Sequence, residues 1–427
     1  MAATELDGHW GGTRFATETG RMNPAPAPAK RARYRAESDR LSGISKDTIL
    51  LAFASLFSDI SSEMLYPILP IFLTQTLGAT GTAVGFVGGL ASAAQNLVQG
   101  LSGWLSDKLR RRKPLALAGY VASAVGKPLM GVATSWSGVL AGRLIDRLGA
   151  GFRSAPRDAL IAASAPEEYR GRAFGLEGIG DNLGACLGPL LTFVLVGTLG
   201  YAIRSIFYLA IIPGLLACLT ILLVRERPVG AMAAPANRIS PLEFPPAYWK
   251  YLLVTAIFGV GTSSTSFMIL RTQDLGASFQ MTMLIYAGFN FVAALVSYPA
   301  GSLSDTFGRR NVLLAGFVTC AIACFGFART TNMTLVAALF LLYGSFLGIF
   351  RAVGKAFASD FVPERLRASA VGWYSTTVGL TSLVASIVAG MLWDRVGASA
   401  AFDYGALTAT AGSVALLLLI RTAPNRT

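Results

Sequence analysis

Two carboxylates, Asp59 and Glu63, stand inside an otherwise apolar run, FSDISSEMLYPILPIF, residues 57–72. On a helix advancing about 100° per residue they lie about 40° apart. Ser55, Ser62 and Tyr66 join them in one polar stripe roughly 100° wide. A second charged stripe holds Arg143, Asp146, Arg147, Arg153, Arg157 and Asp158, within an arc of about 140°. Glu177 and Asp181, also four residues apart, form a third acidic pair. An ionised side chain at the centre of a bilayer costs roughly 2.5–3.5 kcal/mol on insertion scales, so such groups are paired, hydrated or functional. These residue types allow two chemistries. In the first, the acids and arginines are fixed ion pairs that hold the helices together. In the second, a carboxylate takes up a proton in one state of the protein and releases it in another.

Other chemistries find little support. The chain has one histidine, His9, outside every apolar run, which removes histidine metal sites and relays. Cys186, Cys218, Cys320 and Cys324 all fall in apolar runs; the spacing of the last two suits a soft-metal pair, but such residues serve more often as small packing groups. No phosphate-cradling G-x-x-x-x-G-K-[ST] is present, so an ATP-driven pump is disfavoured. The GIGDNLG of residues 178–184 reads as a spaced glycine face on a membrane helix and not as a dinucleotide fingerprint. Neither a nucleophile–base set nor a metal cluster stands out. The expectation is a protein that is not an enzyme and carries no cofactor.

The elements that must position these residues follow from composition. Of 427 residues, 53% are hydrophobic and only 14% charged, where a soluble domain carries about 25% charged residues. Mean hydropathy is +0.55. Twelve apolar segments are each long enough to span a bilayer: 48–76, 81–105, 114–134, 137–162, 172–198, 201–224, 248–271, 279–304, 311–329, 333–358, 368–392 and 399–420. The net charge of +13 is spread over connections such as DKLRRRK, EEYRGR, FGRR and ERLR, and is not gathered on one face. That distribution fits the positive-inside rule better than nucleic-acid binding, and it places both termini in the cytoplasm. Residues 1–46 are polar, include NPAPAPAKRARYR and lack a signal-peptide core. They read as a disordered, basic cytoplasmic tail. The expected organisation is then a six-helix bundle over 47–224, a cytoplasmic linker over 225–247, a second bundle over 248–420 and a C-terminal tail over 421–427.

The two bundles repeat. GWLSDKLRRRK, with Asp107, matches GSLSDTFGRRN, with Asp305, at an offset of 198 residues. TQTLGA matches TQDLGA, and Arg153 and Arg157 match Arg351 and Lys355, at the same offset. At that offset Asp59 and Glu63 fall on Ile257 and Gly261. The acids are therefore absent from the duplicated scaffold, which favours a site over a structural device. Duplicated six-helix halves are a recurring transporter plan with the binding site between them.

On these residues the sequence resembles the major facilitator superfamily, from the first apolar segment to the last. Gly103 to Lys113 is close to that family's G-x-L-x-D-[RK]-x-G-[RK]-[RK] loop, with Arg110 where the loop glycine belongs, and the copy at Gly301 to Arg310 keeps Gly308. Gly184-x-x-x-Gly188-Pro189 resembles the core of the signature in drug-efflux antiporters, as does Pro67-x-x-Pro70 with an acid upstream. In the fourth segment Arg143 matches the family pattern, while Gly149 and Gly151 come two positions late. The resemblance implies an all-α membrane protein of two pseudo-symmetric six-helix bundles, with the first and fourth helices of each half lining a central cavity. Asp59 and Glu63 would then face Arg143 or Arg147, with Asp146, Glu177 and Asp181 in the same cavity. Gly103, Asp107, Arg111 and Arg112, repeated as Gly301, Asp305, Arg309 and Arg310, would form a gate that alternates between states or a static charged loop. Gly184 and Gly188 serve close helix packing, and Pro67, Pro70 and Pro189 mark bends. Lys127 reads as a helix-end or ion-pair residue. The function implied is proton-coupled efflux of small amphipathic or cationic compounds across the inner membrane by a monomer, with protons, substrate and lipid as partners and no nucleic acid. An anion carrier using the arginines of the fourth helix is the rival. A non-transporting sensor or scaffold on the same fold is a third reading.

Overall fold

The computed structural model describes residues 44–109, 111–166, 169–226, 243–363 and 366–420. The expected N-terminal tail up to residue 43, most of the expected linker and the last seven residues lie outside the described residues. Twelve helical segments follow in order. They are α1 (Lys46–Thr76), α2 (Gly81–Leu109), α3 (Lys113–Val132), α4 (Trp136–Ser164), α5 (Arg170–Thr198) and α6 (Ile203–Leu223), then α7 (Pro246–Gly259 with Ser266–Asp274), α8 (Phe279–Phe307), α9 (Arg309–Arg329), α10 (Met333–Asp360), α11 (Arg367–Arg395) and α12 (Ala398–Leu419). Nine of them are long and apolar enough to cross a membrane by composition alone. The exceptions have local causes: Gln95 and Asn96 dilute α2, six charged residues occupy the middle of α4, and α7 is interrupted.

Several helices start on side-chain caps. Ser45 accepts from the Thr48 amide, Ser135 from Gly138, Ser278 from Met281 and Asn332 from Thr334 and Leu335, satisfying donors that have no intrahelical partner. Pinned contacts define two ends of the bundle. At the end holding the start of α1 and the end of α12, called here the terminal face, Asp47 accepts from the Arg225 amide, Glu226 from the Arg112 amide, and Arg310 donates to the Leu417 carbonyl. At the far face Arg204 donates to the Gly131 and Ala133 carbonyls, Arg271 to Thr330, and Arg329 pairs with Asp403 at 2.9 Å.

The duplication is visible in the backbone. The bounds of α8 lie 198 residues beyond those of α2 at both ends. α1 is interrupted over 64–67, and 198 residues on, α7 is open over 262–265. The first break precedes Pro70 and includes Pro67; the second contains no proline but Ser263, Ser264 and Thr265. The interruption thus belongs to the scaffold, and proline is one way of making it. α1 and α5 end in π-helical turns over Phe72–Thr76 and Phe193–Thr198. α5 runs unbroken through Pro189.

Within the first half α3 packs on α4, α1 on α5 and α6, and α2 on α4; within the second, α8 packs on α10 and α9 on α12. The halves meet through α2 with α11 and α5 with α8. Small residues set how closely these helices approach. A methyl group on Gly126 of α3 would stand 2.6 Å from the Asp146 amide and 2.7 Å from the Gly142 carbonyl of α4. On Gly180, Gly184 and Gly188 of α5 it would meet the backbone of α1 at Ala52, Leu56 and Met64. The glycine face of α5 is therefore a contact face.

Gly126→Leu is expected to abolish folding, because the obstructing atoms are backbone on the neighbouring helix and cannot rotate away. Gly171→Ala, where nothing lies within 4 Å, is expected to stay within about 0.5 kcal/mol of the parent. Size-exclusion profiles and thermal shifts in detergent check both; a monodisperse Gly126→Leu peak at parental yield would contradict the packing described.

Candidate transport site

The charges of the first half divide into two groups. Asp146 of α4, fully buried, is the centre of the inner group. Its Oδ2 accepts from Arg143 Nη1 at 3.1 Å and from Arg147 Nε at 2.8 Å, with Arg147 Nη2 at 2.7 Å, and its Oδ1 accepts from Ser123 of α3 at 2.6 Å. Arg147 also donates to Ser62 of α1 at 3.2 Å, and the Arg143 guanidinium lies over the Tyr66 ring at 5.5 Å. The outer group lies nearer the terminal face. Arg157 Nη1 sits 2.9 Å from Glu177 Oε1 and 3.7 Å from Asp181 Oδ1, and Nη2 sits 3.1 Å from Asp158. Ser55 donates to Glu177 at 2.9 Å. The Arg153 guanidinium packs on Tyr120 at 4.5 Å.

Asp59 and Glu63 do not face Arg143 or Arg147 as direct partners, which corrects the expectation from the sequence. Both arginines close on Asp146, one and three residues away on their own helix. That pairing needs no second helix to be held in register, and it leaves the serine face of α1 for the remaining donors. For Lys127 the helix-end half of the expectation is corrected. It lies within α3, 1% exposed, and donates to Ser61 of α1 at 2.6 Å.

What Asp59 and Glu63 do face is a cavity of about 310 Å³ between the halves. Its wall includes Asp59, Glu63, Tyr66, Asp181 and Asn182 of the first half, with Tyr286, Phe289, Asn290, Ser297 and Arg351 of the second. Arg143, Asp146, Arg147 and Glu177 are not among the lining residues. Glu63 Oε2 accepts from Tyr286 Oη at 2.9 Å and from Asn290 Nδ2 at 3.4 Å. Asn290 also donates to the Ala185 carbonyl of α5 at 3.0 Å, and Tyr66 stacks on Tyr286 with centroids 5.8 Å apart. These contacts join the two halves at the wall of the cavity. Tyr286, Asn290 and Arg351 were not picked out as site residues from sequence. Their spacing was a usable signal: Tyr286, Asn290 and Ser297 recur at four and seven residues in an apolar run, a polar stripe like that of α1.

The expected gate residues are placed unequally. Gly103 and Asp107 lie in the last turns of α2, and the Asp107 side chain is outside the described residues. Arg111 is exposed, and Arg112 Nη1 donates to the Ala159 carbonyl at 3.1 Å. In the second copy Arg309 pairs with Asp360 at 3.0 Å and stands 3.8 Å from Asp305, while Arg310 reaches Leu417. Gly308 has φ +84° and separates α8 from α9, a conformation that glycine adopts at little cost. Nothing lies within 4 Å of a methyl group placed on Gly301.

Two repeated six-helix halves with a charged cavity between them are the plan of a membrane transporter. The sequence profile of the Major Facilitator Superfamily matches residues 51–271 and 251–427. The chain is 36% identical, over 90% of its length and 96% of the relative's, to an uncharacterised transporter of this type from Methanocaldococcus jannaschii. It is 31% identical to the multidrug resistance protein MdtG of Enterobacter lignolyticus, over 60% of this chain and 64% of that one. Among solved structures the nucleoside transporter NupG (D323A mutant) superposes with a TM-score of 0.75 at 16% identity, covering 88% of this chain and all of that one. The chain belongs to the major facilitator superfamily: it is a multi-pass membrane transporter and not an enzyme.

Asp146→Asn is expected to cost on the order of 3–5 kcal/mol, since it leaves two buried guanidinium groups without a counter-charge. Arg147→Ala should cost less, because Asp146 keeps Arg143 and Ser123. Folded yield and melting temperature in detergent read the difference, and parental stability of Asp146→Asn would show the cluster to be dispensable for folding.

Proposed function

We propose that the protein couples proton movement to export of small amphipathic or cationic compounds across the inner membrane, with the terminal face on the cytoplasmic side. One observation carries this reading: three carboxylates, Asp59, Glu63 and Asp181, line the cavity against one guanidinium, Arg351. Three of the four arginines of α4, which would have made an anion site, are paired with Asp146, Asp158, Glu177 and Asp181; Arg153 packs on Tyr120, and none of the four lines the cavity. The aromatic wall of Tyr66, Tyr286 and Phe289 suits a planar or apolar substrate body. The likeness to MdtG over part of the chain supports efflux, and the basic connections support the orientation.

Glu63 is the exchanging group. Its Oε2 already serves as acceptor for Tyr286 and Asn290 from the opposite half. A proton bound there removes acceptor capacity, and a cationic substrate competes for the same oxygen, so proton and substrate occupy one site in turn. Asp59 and Asp181 complete the acidic wall nearer the terminal face. Asp107 serves as the gate at the end of α2, with its copy Asp305 contributing less because its basic run is shorter.

Glu63→Gln is expected to abolish proton-driven uptake of tetraphenylphosphonium into inverted vesicles while retaining downhill exchange. Tyr286→Phe should keep the aromatic stack and lower coupling several-fold. Proton release on adding substrate to purified protein distinguishes the roles: undiminished release from an Asp59→Asn, Glu63→Gln double variant would remove both acids from the mechanism. Transport of an aromatic carboxylate that is lost in Arg351→Ala, with no response to cations, would favour the anion carrier. Asp107→Asn should slow state interchange without weakening substrate binding; unchanged transport and unchanged accessibility labelling at both faces would count against it.

A further inference from the structure

The far face carries a contact that neither the motifs nor the cavity accounts for. α11 ends in the sequence MLWDR, and Asp394 in its last turn reaches from the second half onto the first turn of α2 in the first half. Its Oδ1 accepts from the Gly81 amide at 2.7 Å, and its Oδ2 accepts from the Thr82 amide at 2.8 Å and the Thr82 hydroxyl at 2.6 Å. One carboxylate thus takes three hydrogen bonds from a helix start, where free amides and the helix dipole favour negative charge.

Beneath this contact the two helices approach at backbone distance. A methyl group on Gly390 of α11 would stand 2.5 Å from the Gly81 carbonyl; one on Gly85 would overlap the Ser386 carbonyl; and one on Gly89 would lie 2.9 Å from Leu383 Cα. The series continues to Gly379, where a methyl group would lie 2.9 Å from Asn96 Cβ. Gly372, two turns nearer the terminal face, has nothing within 4 Å. The close approach traced by these glycines covers the far half of α11, and Asp394 closes its outer end.

We propose that Asp394 is a working residue of the transport cycle, whose carboxylate latches α11 of the second half onto the start of α2 in the first and must release for the far face to open. The halves of a transporter of this plan rock against each other about the central site, so a contact between halves at one face exists in one state and is broken in the other. Charge-assisted hydrogen bonds to helix amides are among the stronger contacts available at a wetted edge. The glycines let two helix backbones close on each other without anchoring them. Asp394 supplies the anchor. The proposal does not depend on which substrate or ion is carried.

The test needs no substrate. Nitroxide labels at Thr76→Cys and Val396→Cys, in a background with the four native cysteines replaced, report separation of the halves at the far face by pulsed dipolar spectroscopy in lipid nanodiscs. The parent is expected to show a dominant short distance. Asp394→Asn should raise the ratio of long to short distances roughly fivefold or more, the lower range of a conformational coupling. Thr82→Val, which removes the hydroxyl bond and leaves both amide bonds, should raise it less. Gly85→Ala, which forces the backbones apart without touching the carboxylate, should shift it in the same direction. A distance distribution unchanged in Asp394→Asn and Thr82→Val overturns the proposal. So does an Asp394→Asn protein that melts earlier with the parental distribution, since that assigns the residue to folding alone. Should Asp394→Asn fail to fold, Thr82→Val decides, and an unchanged distribution there has the same consequence.

Discussion

Asp146 and the two guanidinium groups around it set the terms for the rest of the molecule. A buried carboxylate with one arginine would still leave capacity for another cation, and a buried arginine without a carboxylate would be strongly destabilising. Here one acid takes Arg143, Arg147 and Ser123 together. Two of the four arginines of α4 are thereby held inside their own half. Arg157 reverses the arrangement nearer the terminal face, one guanidinium between Glu177 and Asp158. The acids of α1 are left facing the cavity, with no arginine of α4 as direct counter-ion to Glu63. An arginine-rich helix beside a cavity invites an anion-binding interpretation from sequence; three of its four arginines are paired with acids and none lines the cavity, which weighs against it.

Close approach of helices is the second organising constraint. α3 with α4 and α1 with α5 meet through glycines whose replacement would strike backbone, and both are contacts within one half. α2 with α11 uses the same device between halves, but only along part of its length. Glycine faces therefore serve a fixed interface and a one-ended interface alike. What separates them is the polar anchor: Ser123 on Asp146 and Ser55 on Glu177 bind the fixed pairs, whereas a single half-wetted carboxylate at a helix start fastens the other.

Much of this was legible in the sequence, for reasons that also explain what was not. The twelve apolar runs, the 198-residue repeat and the loop motif at Asp107 rest on composition and periodicity, which tertiary contacts seldom override on this scale. The stripe of Asp59 and Glu63 was legible because helical spacing fixes which residues share a face. Its partners were not. Whether Arg143 meets Glu63 on α1 or Asp146 on its own helix depends on rotamers and interhelix distance, and spacing permits both. Lys127 reads from sequence as a helix-end or ion-pair residue because a lysine in an apolar run is costly; only the position of Ser61 shows where its ammonium donates. Tyr286 and Asn290 sit in a run with no charge to draw attention to it. Asp394 was invisible for a different reason. Its partners are backbone amides of a helix start more than 300 residues away in the chain, and backbone groups leave no mark on a sequence.

Duplication built the scaffold, and divergence of the two copies divided the labour between them. At the repeat offset Arg143, Asp146 and Arg147 are answered by Leu341, Gly344 and Ser345, and the acids of α1 by Ile257 and Gly261. Ionic contacts therefore fill the interior of the first half. The second half is filled by rings: Phe258 stacks on Phe317 with centroids 3.8 Å apart and contacts Phe346 and Phe350, while Phe340 packs on Phe289 and Phe327. Such a core transmits displacement and offers no charge to rearrange. Tyr286 and Asn290 belong to that second half and end on Glu63 of the first. Under the proposed function, a change of occupancy at Glu63 would act on a unit whose interior gives little, and the compliance left to the molecule lies between the halves, where the cavity already separates them.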